Sequence, residues 1–212
     1  MPLTFQENIN EDTSIGLWKI TETPEDLEQR LQLKAHELKL LRSLSKEKRN
    51  LHWLATRVLL RKMLNTSEYI DCQADENGKP ILINHPHHIS LSHSYDYAAV
   101  MVSKTKKVGI DIEIIKDKII RVQQKFMSAD ELCFIKEANR TAHLYVCWCA
   151  KEALYKLNGK KETSFKDHIH LAPFSYQDEG VLSASIDKGN QSDQFQVSFR
   201  KFENYMLGYV CE

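Results

Sequence analysis

Apolar and polar positions along the chain follow two periods, and the change from one to the other outlines the elements. Over residues 17–20 a short apolar piece predicts a strand. Thr23-Pro24-Glu25-Asp26 then opens a helix: Thr23 caps it, Pro24 takes the first helical position and acids fill the first turn. Leu27, Leu31, Leu38 and Leu41 give that helix its apolar stripe. A second, strongly basic helix is predicted from a Ser45 cap to about Leu64, with Leu51, Leu54, Val58 and Leu59 facing inward. Asn77-Gly78 signals a type I′ turn joining strands 69–74 and 80–83. Residues 88–91 and 98–102 read as strands, with Ser92-His93-Ser94 as a small-residue turn after the first.

The strictest alternation runs over residues 108–115. Ile110, Ile112 and Ile114 share one face of the predicted strand, while Gly109, Asp111 and Glu113 share the other. Beyond it, Ser128 and Glu131 form a capping box. A helix follows from about Ala142 to Asn158, closed by Gly159. Four strand-like apolar clusters complete the chain at 169–174, 181–186, 195–199 and 205–210. The charged stretch 103–107 is the one plausible boundary. It divides the chain into halves, 1–106 and 107–212, that read as coarse copies without a residue-level repeat.

Composition narrows the function. The 212 residues carry 29 basic and 29 acidic side chains. A zero formal balance argues against a general nucleic-acid or membrane-surface binder. The polar N-terminus and the lack of any apolar run of about 20 residues point to a cytoplasmic protein. Cys72, Cys133, Cys147, Cys149 and Cys211 are odd in number and lie mostly in apolar segments, so they read as reduced thiols. Cys147-Trp148-Cys149 has no second pair at zinc-site spacing and reads as core; His85, His87 and His88 read as an exposed loop.

The chemistry concentrates on two elements. Asp111 and Glu113 repel each other unless a cation sits between them, and their oxygens suit Mg²⁺ or Mn²⁺. A solvated acidic face on an edge strand is the bland alternative. On the helix 142–158, Cys147, Ala150, Leu154 and Leu157 form one core stripe. Glu152 lies opposite, with Trp148 and Lys156 a turn away and Tyr145 close by. A surface Glu152–Lys156 pair would be worth only a few tenths of a kcal/mol, and it fits poorly with aromatic neighbours. A half-buried Glu152 is the third ligand that the acidic strand lacks. In the basic helix, Arg57 stands out because it sits mid-helix beside Trp53.

Val108-Gly109-Ile110-Asp111-Ile112-Glu113 and Trp148-Cys149-Ala150-Lys151-Glu152-Ala153-Leu154-Tyr155-Lys156 resemble the two signature motifs of the 4′-phosphopantetheinyl transferases. Residues 45–49, Gly78-Lys79-Pro80, Leu91-Ser92-His93-Ser94 and Phe126-Met127-Ser128 with Glu131 resemble further family blocks. The length resembles the surfactin-synthetase-activating (Sfp) type. The resemblance implies an α+β fold of two similar α/β halves forming a pseudo-dimer, and a monomer. It implies Mg²⁺-dependent transfer of phosphopantetheine from coenzyme A to a serine of an apo acyl or peptidyl carrier protein, releasing adenosine 3′,5′-bisphosphate. Asp111, Glu113 and Glu152 match the family's metal ligands. Glu152 also matches the candidate base, and Lys156 the lysine near the transferred phosphate. Lys48, Arg57, Lys79, Ser92 and His93 fall where the family holds coenzyme A. A second basic residue that the family often carries after Lys48 has no clear counterpart, with Arg49 or His52 as stand-ins.

Two other classes use similar residues. A metal-dependent nuclease or phosphodiesterase also combines carboxylates with a lysine, usually with Glu and Lys two apart on a strand rather than four apart on a helix. A non-catalytic carrier-binding protein with a relic site is the second.

Overall fold

The computed structural model describes residues 3–44, 47–189 and 191–212. The chain is a mixed α/β protein of two compact units. One comprises Met1–Glu76 and Pro80–Lys107, the other Asn77–Lys79 and Val108–Glu212.

The first unit is built on an antiparallel sheet of β1 (Leu3–Asn8), β2 (Thr13–Lys19), β5 (His88–Ser94) and β6 (Tyr97–Ser103), in the order β1-β2-β6-β5. β1 escapes a reading by apolar runs because it is short, polar at half its positions and partly exposed. Helix α3 (Glu47–Met63) packs on this sheet, and Leu54, Leu59, Ile89, Ala98 and Val100 form the core. The single helix predicted from Thr23 is two helices, α1 (Pro24–Glu28) and α2 (Ala35–Ser43). Thr23 caps α1 as expected, its hydroxyl accepting from Asp26 N at 3.2 Å. The leucine spacing fits one helix, but Lys34 N donates to Glu37 Oε2 at 3.0 Å and starts a new one. Leu31 and Leu33 pack inward from the connection. The expected Ser45 cap lies outside the described residues.

Two turn expectations also need correction. β3 (Cys72–Ala74) and β4 (Pro80–Leu82) pair through Ala74 and Pro80, so residues 75–79 form a longer loop. Gly78 has φ +84°, whereas Asn77 lacks the positive φ that a type I′ turn needs at both central residues. Ser92-His93-Ser94 is strand, not turn. The β5–β6 hairpin turns at Tyr95 and Asp96, with Ser94 opposite Tyr97 and Tyr95 at φ +50°.

The second unit carries an antiparallel sheet ordered β7-β11-β10-β9-β8. Its strands are β7 (Val108–Ile114), β8 (Ile169–Leu171), β9 (Glu179–Lys188), β10 (Gln191–Phe202) and β11 (Tyr205–Cys211). A 3₁₀ stretch spans Asp117–Lys125, and the Ser128–Glu131 capping box opens α4 (Ala129–Cys133) as expected. Helix α5 (Arg140–Asn158) lies against β7 and β11. Cys147, Ala150, Leu154 and Leu157 face the core, and Gly159 closes the helix at φ +69° with its N–H on Tyr155 O. The five cysteines are free thiols, with Cys147 and Cys149 buried. No described helix is long and apolar enough to cross a membrane.

Candidate active site

The site starts from two glycines. A Cβ on Gly109 of β7 would stand 1.9 Å from Ala153 O, and one on Gly208 of β11 would stand 2.8 Å from Cys149 C. Gly208 is the ladder partner of Asp111. The backbone of α5 therefore rests on the two strands with no side chain as spacer. A bulkier residue at either position would lift the helix.

This approach brings Lys156 to the acidic strand. Its Nζ donates to Asp111 Oδ1 at 2.8 Å and to Ile110 O at 3.0 Å. Asp111 is only 4% exposed, which overturns a solvated acidic edge. Lys156 reaches the strand, so a surface pair with Glu152 does not describe it. Glu152 is half-buried one turn before Lys156. Its pKa rises to about 7, chiefly through burial and then through the charge of Asp111; Lys156 offsets part of this and Glu113 adds to it. Asp111, Glu113 and Glu152 therefore lie within electrostatic reach of one another.

Among the described residues no three His, Cys, Asp or Glu side chains close into a ready metal centre. The donor set nevertheless suits a hard divalent cation. It is all carboxylate oxygen, and the mutual repulsion recorded in Glu152 is what a cation would relieve. Asp111, Glu113 and Glu152 are the residues that would hold it.

Beside Glu113 lies an apolar recess of about 250 Å³, lined also by Lys118, Ile119, Val122, Tyr145 and Trp148. It explains why α5 is aromatic on its second face. Trp148 meets Phe126 edge-on, with ring centroids 5.0 Å apart.

Sequence reasoning missed Lys151. It is fully buried and donates to Glu131 Oε2 at 2.8 Å, Phe165 O at 2.8 Å and Ile169 O at 2.7 Å. Glu131 Oε1 in turn accepts from Leu171 N at 2.9 Å. The capping glutamate of α4 thus also pins the turn of α5 that carries Glu152. The signal was present: Lys151 falls between Cys147 and Leu154 on the inward stripe.

The other candidate residues are distributed over both units. Lys79 donates to Leu157 O at 3.0 Å and caps the C-terminal end of α5. Arg57 stacks on Trp53 at 4.1 Å and donates to Thr56 Oγ1 at 3.2 Å. Burial lowers the Arg57 pKa, while Cys72 and Glu37 nearby oppose that shift. Ser92 is buried and His93 exposed, as consecutive strand residues on opposite faces must be. The Lys48 side chain lies outside the described residues.

Comparison with known proteins agrees with the two motifs. The family model of the 4′-phosphopantetheinyl transferase superfamily matches residues 107–210. Residues 107–210, which hold β7 and α5, thus match a 4′-phosphopantetheinyl transferase superfamily domain. It is similar to 4′-phosphopantetheinyl transferase psf-1 of Bacillus pumilus, 38% identical over 97 residues, 44% of this chain and 41% of that protein. A 4′-phosphopantetheinyl transferase of Bacillus subtilis is 30% identical over 142 residues, 64% of this chain and 60% of that protein. The 4′-phosphopantetheinyl transferase gsp of Aneurinibacillus migulanus is 29% identical over 111 residues, 50% of this chain and 46% of that protein. The chain spans about half the length of these curated relatives.

Proposed function

We propose that the protein transfers 4′-phosphopantetheine from coenzyme A to a serine hydroxyl of an apo carrier protein. The grouping of Asp111, Glu113, Glu152 and Lys156 on β7 and α5 carries the reading. The serine oxygen attacks the phosphorus that bears pantetheine, and the pyrophosphate bond breaks to release adenosine 3′,5′-bisphosphate. Glu152, half-buried on α5 beside the acidic strand, takes the serine proton. Lys156, fixed on Asp111, offers its ammonium to the phosphate charge. A Mg²⁺ or Mn²⁺ on Asp111, Glu113 and Glu152 would neutralise phosphate oxygens. Lys48, Arg57, Lys79, Ser92 and His93 are the proposed coenzyme A contacts. The recess beside Glu113 is the proposed approach for the acceptor. A cytoplasmic monomer with a pseudo-dimeric fold completes the proposal.

The test mixes the protein with coenzyme A, Mg²⁺ and apo acyl or peptidyl carrier proteins and weighs the carrier. A mass gain of one phosphopantetheine group, abolished by EDTA and restored by Mg²⁺, is expected. An unmodified carrier beside hydrolysed coenzyme A or a cut phosphodiester would move the protein to the hydrolase class. Binding of carrier without modification would make the site a relic.

A further inference from the structure

We infer that His52 is the positioning residue of His93, seating its imidazole for the coenzyme A contact proposed above, on which this inference rests. The two rings stack with centroids 4.3 Å apart and planes 26° from parallel. His93 projects from β5 on the face that meets α3, and it is exposed. An exposed side chain ordinarily samples several rotamers. His93 instead lies on a platform that is itself fixed, for His52 is only 7% exposed.

His52 is fixed twice over. Its backbone belongs to α3, and its Nε2 lies 2.6 Å from Tyr95 O. A carbonyl oxygen only accepts, so Nε2 carries a proton and donates it to Tyr95 O. Tyr95 is the first residue of the β5–β6 hairpin loop and sits at φ +50°, a conformation costly for a residue with a Cβ. The same imidazole therefore secures the strained loop through one edge and His93, two residues earlier, through its ring face. No ordinary core residue makes this pair of contacts. A leucine at position 52 would fill the space but neither hold the Tyr95 carbonyl nor offer a flat face.

Coenzyme A presents phosphate groups, and a positioned imidazole N–H is a suitable donor to them. Loss of the seat would remove the flat face on which the His93 ring rests, so it would weaken binding and spare turnover.

The experiment has a ligand-free arm and a binding arm. In the first, the His93 ring resonances and their pH titration are followed by NMR in the parent, His52→Ala and His52→Phe proteins. His52→Ala should shift both the resonances and the titration midpoint of His93; His52→Phe, which restores the ring face, should bring them back most of the way. In the second, coenzyme A affinity is measured by calorimetry, and turnover with saturating coenzyme A. His52→Ala should weaken coenzyme A about 5- to 10-fold, with kcat held within about twofold. Adding His93→Ala should weaken it little further, because the two residues act as one unit. Full affinity in His52→Ala beside impaired affinity in His93→Ala overturns the inference. Unchanged His93 resonances in His52→Ala overturn it too, whatever coenzyme A does. Normal affinity in His93→Ala instead rejects His93 as a coenzyme A contact, while the ligand-free arm still decides whether His52 seats it.

Discussion

Lys156 Nζ stands 2.8 Å from Asp111 Oδ1 and 3.0 Å from Ile110 O, so one ammonium is held by a carboxylate and by the backbone of the strand that bears it. The lysine side chain is 25% exposed and the aspartate 6%. Partial burial of this kind keeps the pair from being a mere surface contact, yet leaves the ammonium open to an incoming anion. The phosphate-handling role proposed above needs such an opening.

The first prediction follows from this geometry. Lys156→Ala and Glu152→Gln should each slow carrier modification about 10²- to 10³-fold under single-turnover conditions, with coenzyme A affinity reduced only modestly. Because both would act on one reacting centre, the double variant should be clearly less impaired than the product of the two effects. Near-parental rates for Glu152→Gln would remove Glu152 from the chemistry.

A second prediction concerns the seat of α5. Gly109→Ala places a methyl 1.9 Å from Ala153 O, and no rotamer can relieve a clash between Cβ and backbone. The variant should lose about 3 kcal/mol or more in urea denaturation, above the usual range for overpacking because the helix itself has to move. Its carrier modification should fall as well, since the same shift draws Lys156 and Glu152 away from β7. A parental midpoint would mean that helix and strand are further apart than described.

Much of this was legible in the chain. The period-2 run placed Gly109, Asp111 and Glu113 on β7, and the helical period placed Glu152 and Lys156 on α5, because both elements are long enough for their patterns to dominate. What failed was local or long-range. The break at Lys34–Glu37 depends on a hydrogen bond that competes with an unbroken leucine spacing. The turn at Asn77-Gly78 depends on loop length as well as on the dipeptide. β1 is a half-polar edge strand whose existence depends on its pairing with β2. Lys156 lies a turn from Glu152, as the helical period placed it, but its hydrogen-bond partner Asp111, 45 residues away on the strand, is not readable from that period. The inward place of Lys151 was readable from the helical stripe, but its pairing with Glu131 was not, since a buried lysine is the exception that burial statistics disfavour.

That strut yields a third prediction. Lys151→Met leaves the Glu131 carboxylate buried beside Phe165 and Ile169 carbonyls that have lost their donor. The loss should be about 3–5 kcal/mol in urea denaturation, typical of breaking one side of a buried pair. Glu131→Gln added to Lys151→Met should recover part of it by removing the stranded charge. If the single variant is as stable as the parent, the pair is ornamental and Glu152 is positioned by other means.

The last prediction uses a buried histidine outside the site. His143, on α5, is only 1% exposed, and neither ring nitrogen has a hydrogen-bond partner among the described residues. Phe134, Phe174 and Tyr176 surround it, with ring centroids 5.7, 4.6 and 6.1 Å away. Burial, with a smaller contribution from Lys136, lowers its pKa from 6.5 to about 4. Above pH 6.5 neither folded nor unfolded chain protonates this ring, and it makes no pH-dependent contribution. As pH falls below that value the unfolded state binds the proton and the folded state does not, so stability declines. The decline levels off near pH 4, where the folded ring also protonates, and totals roughly 3 kcal/mol at 1.36 kcal/mol per unit. His143→Phe suits the aromatic cage and removes the titration. Near pH 7.5 it should lie within about 1.5 kcal/mol of the parent. Between pH 6.5 and 4.5 it should gain on the parent steadily, because only the parent's unfolded state is still being favoured by protons at this position. Carboxylates elsewhere titrate in both proteins and cancel in the difference. Urea denaturation of both proteins at four or five pH values in this window gives the measurement. A difference that stays constant with pH would mean that the ring is already solvated or paired in the folded protein.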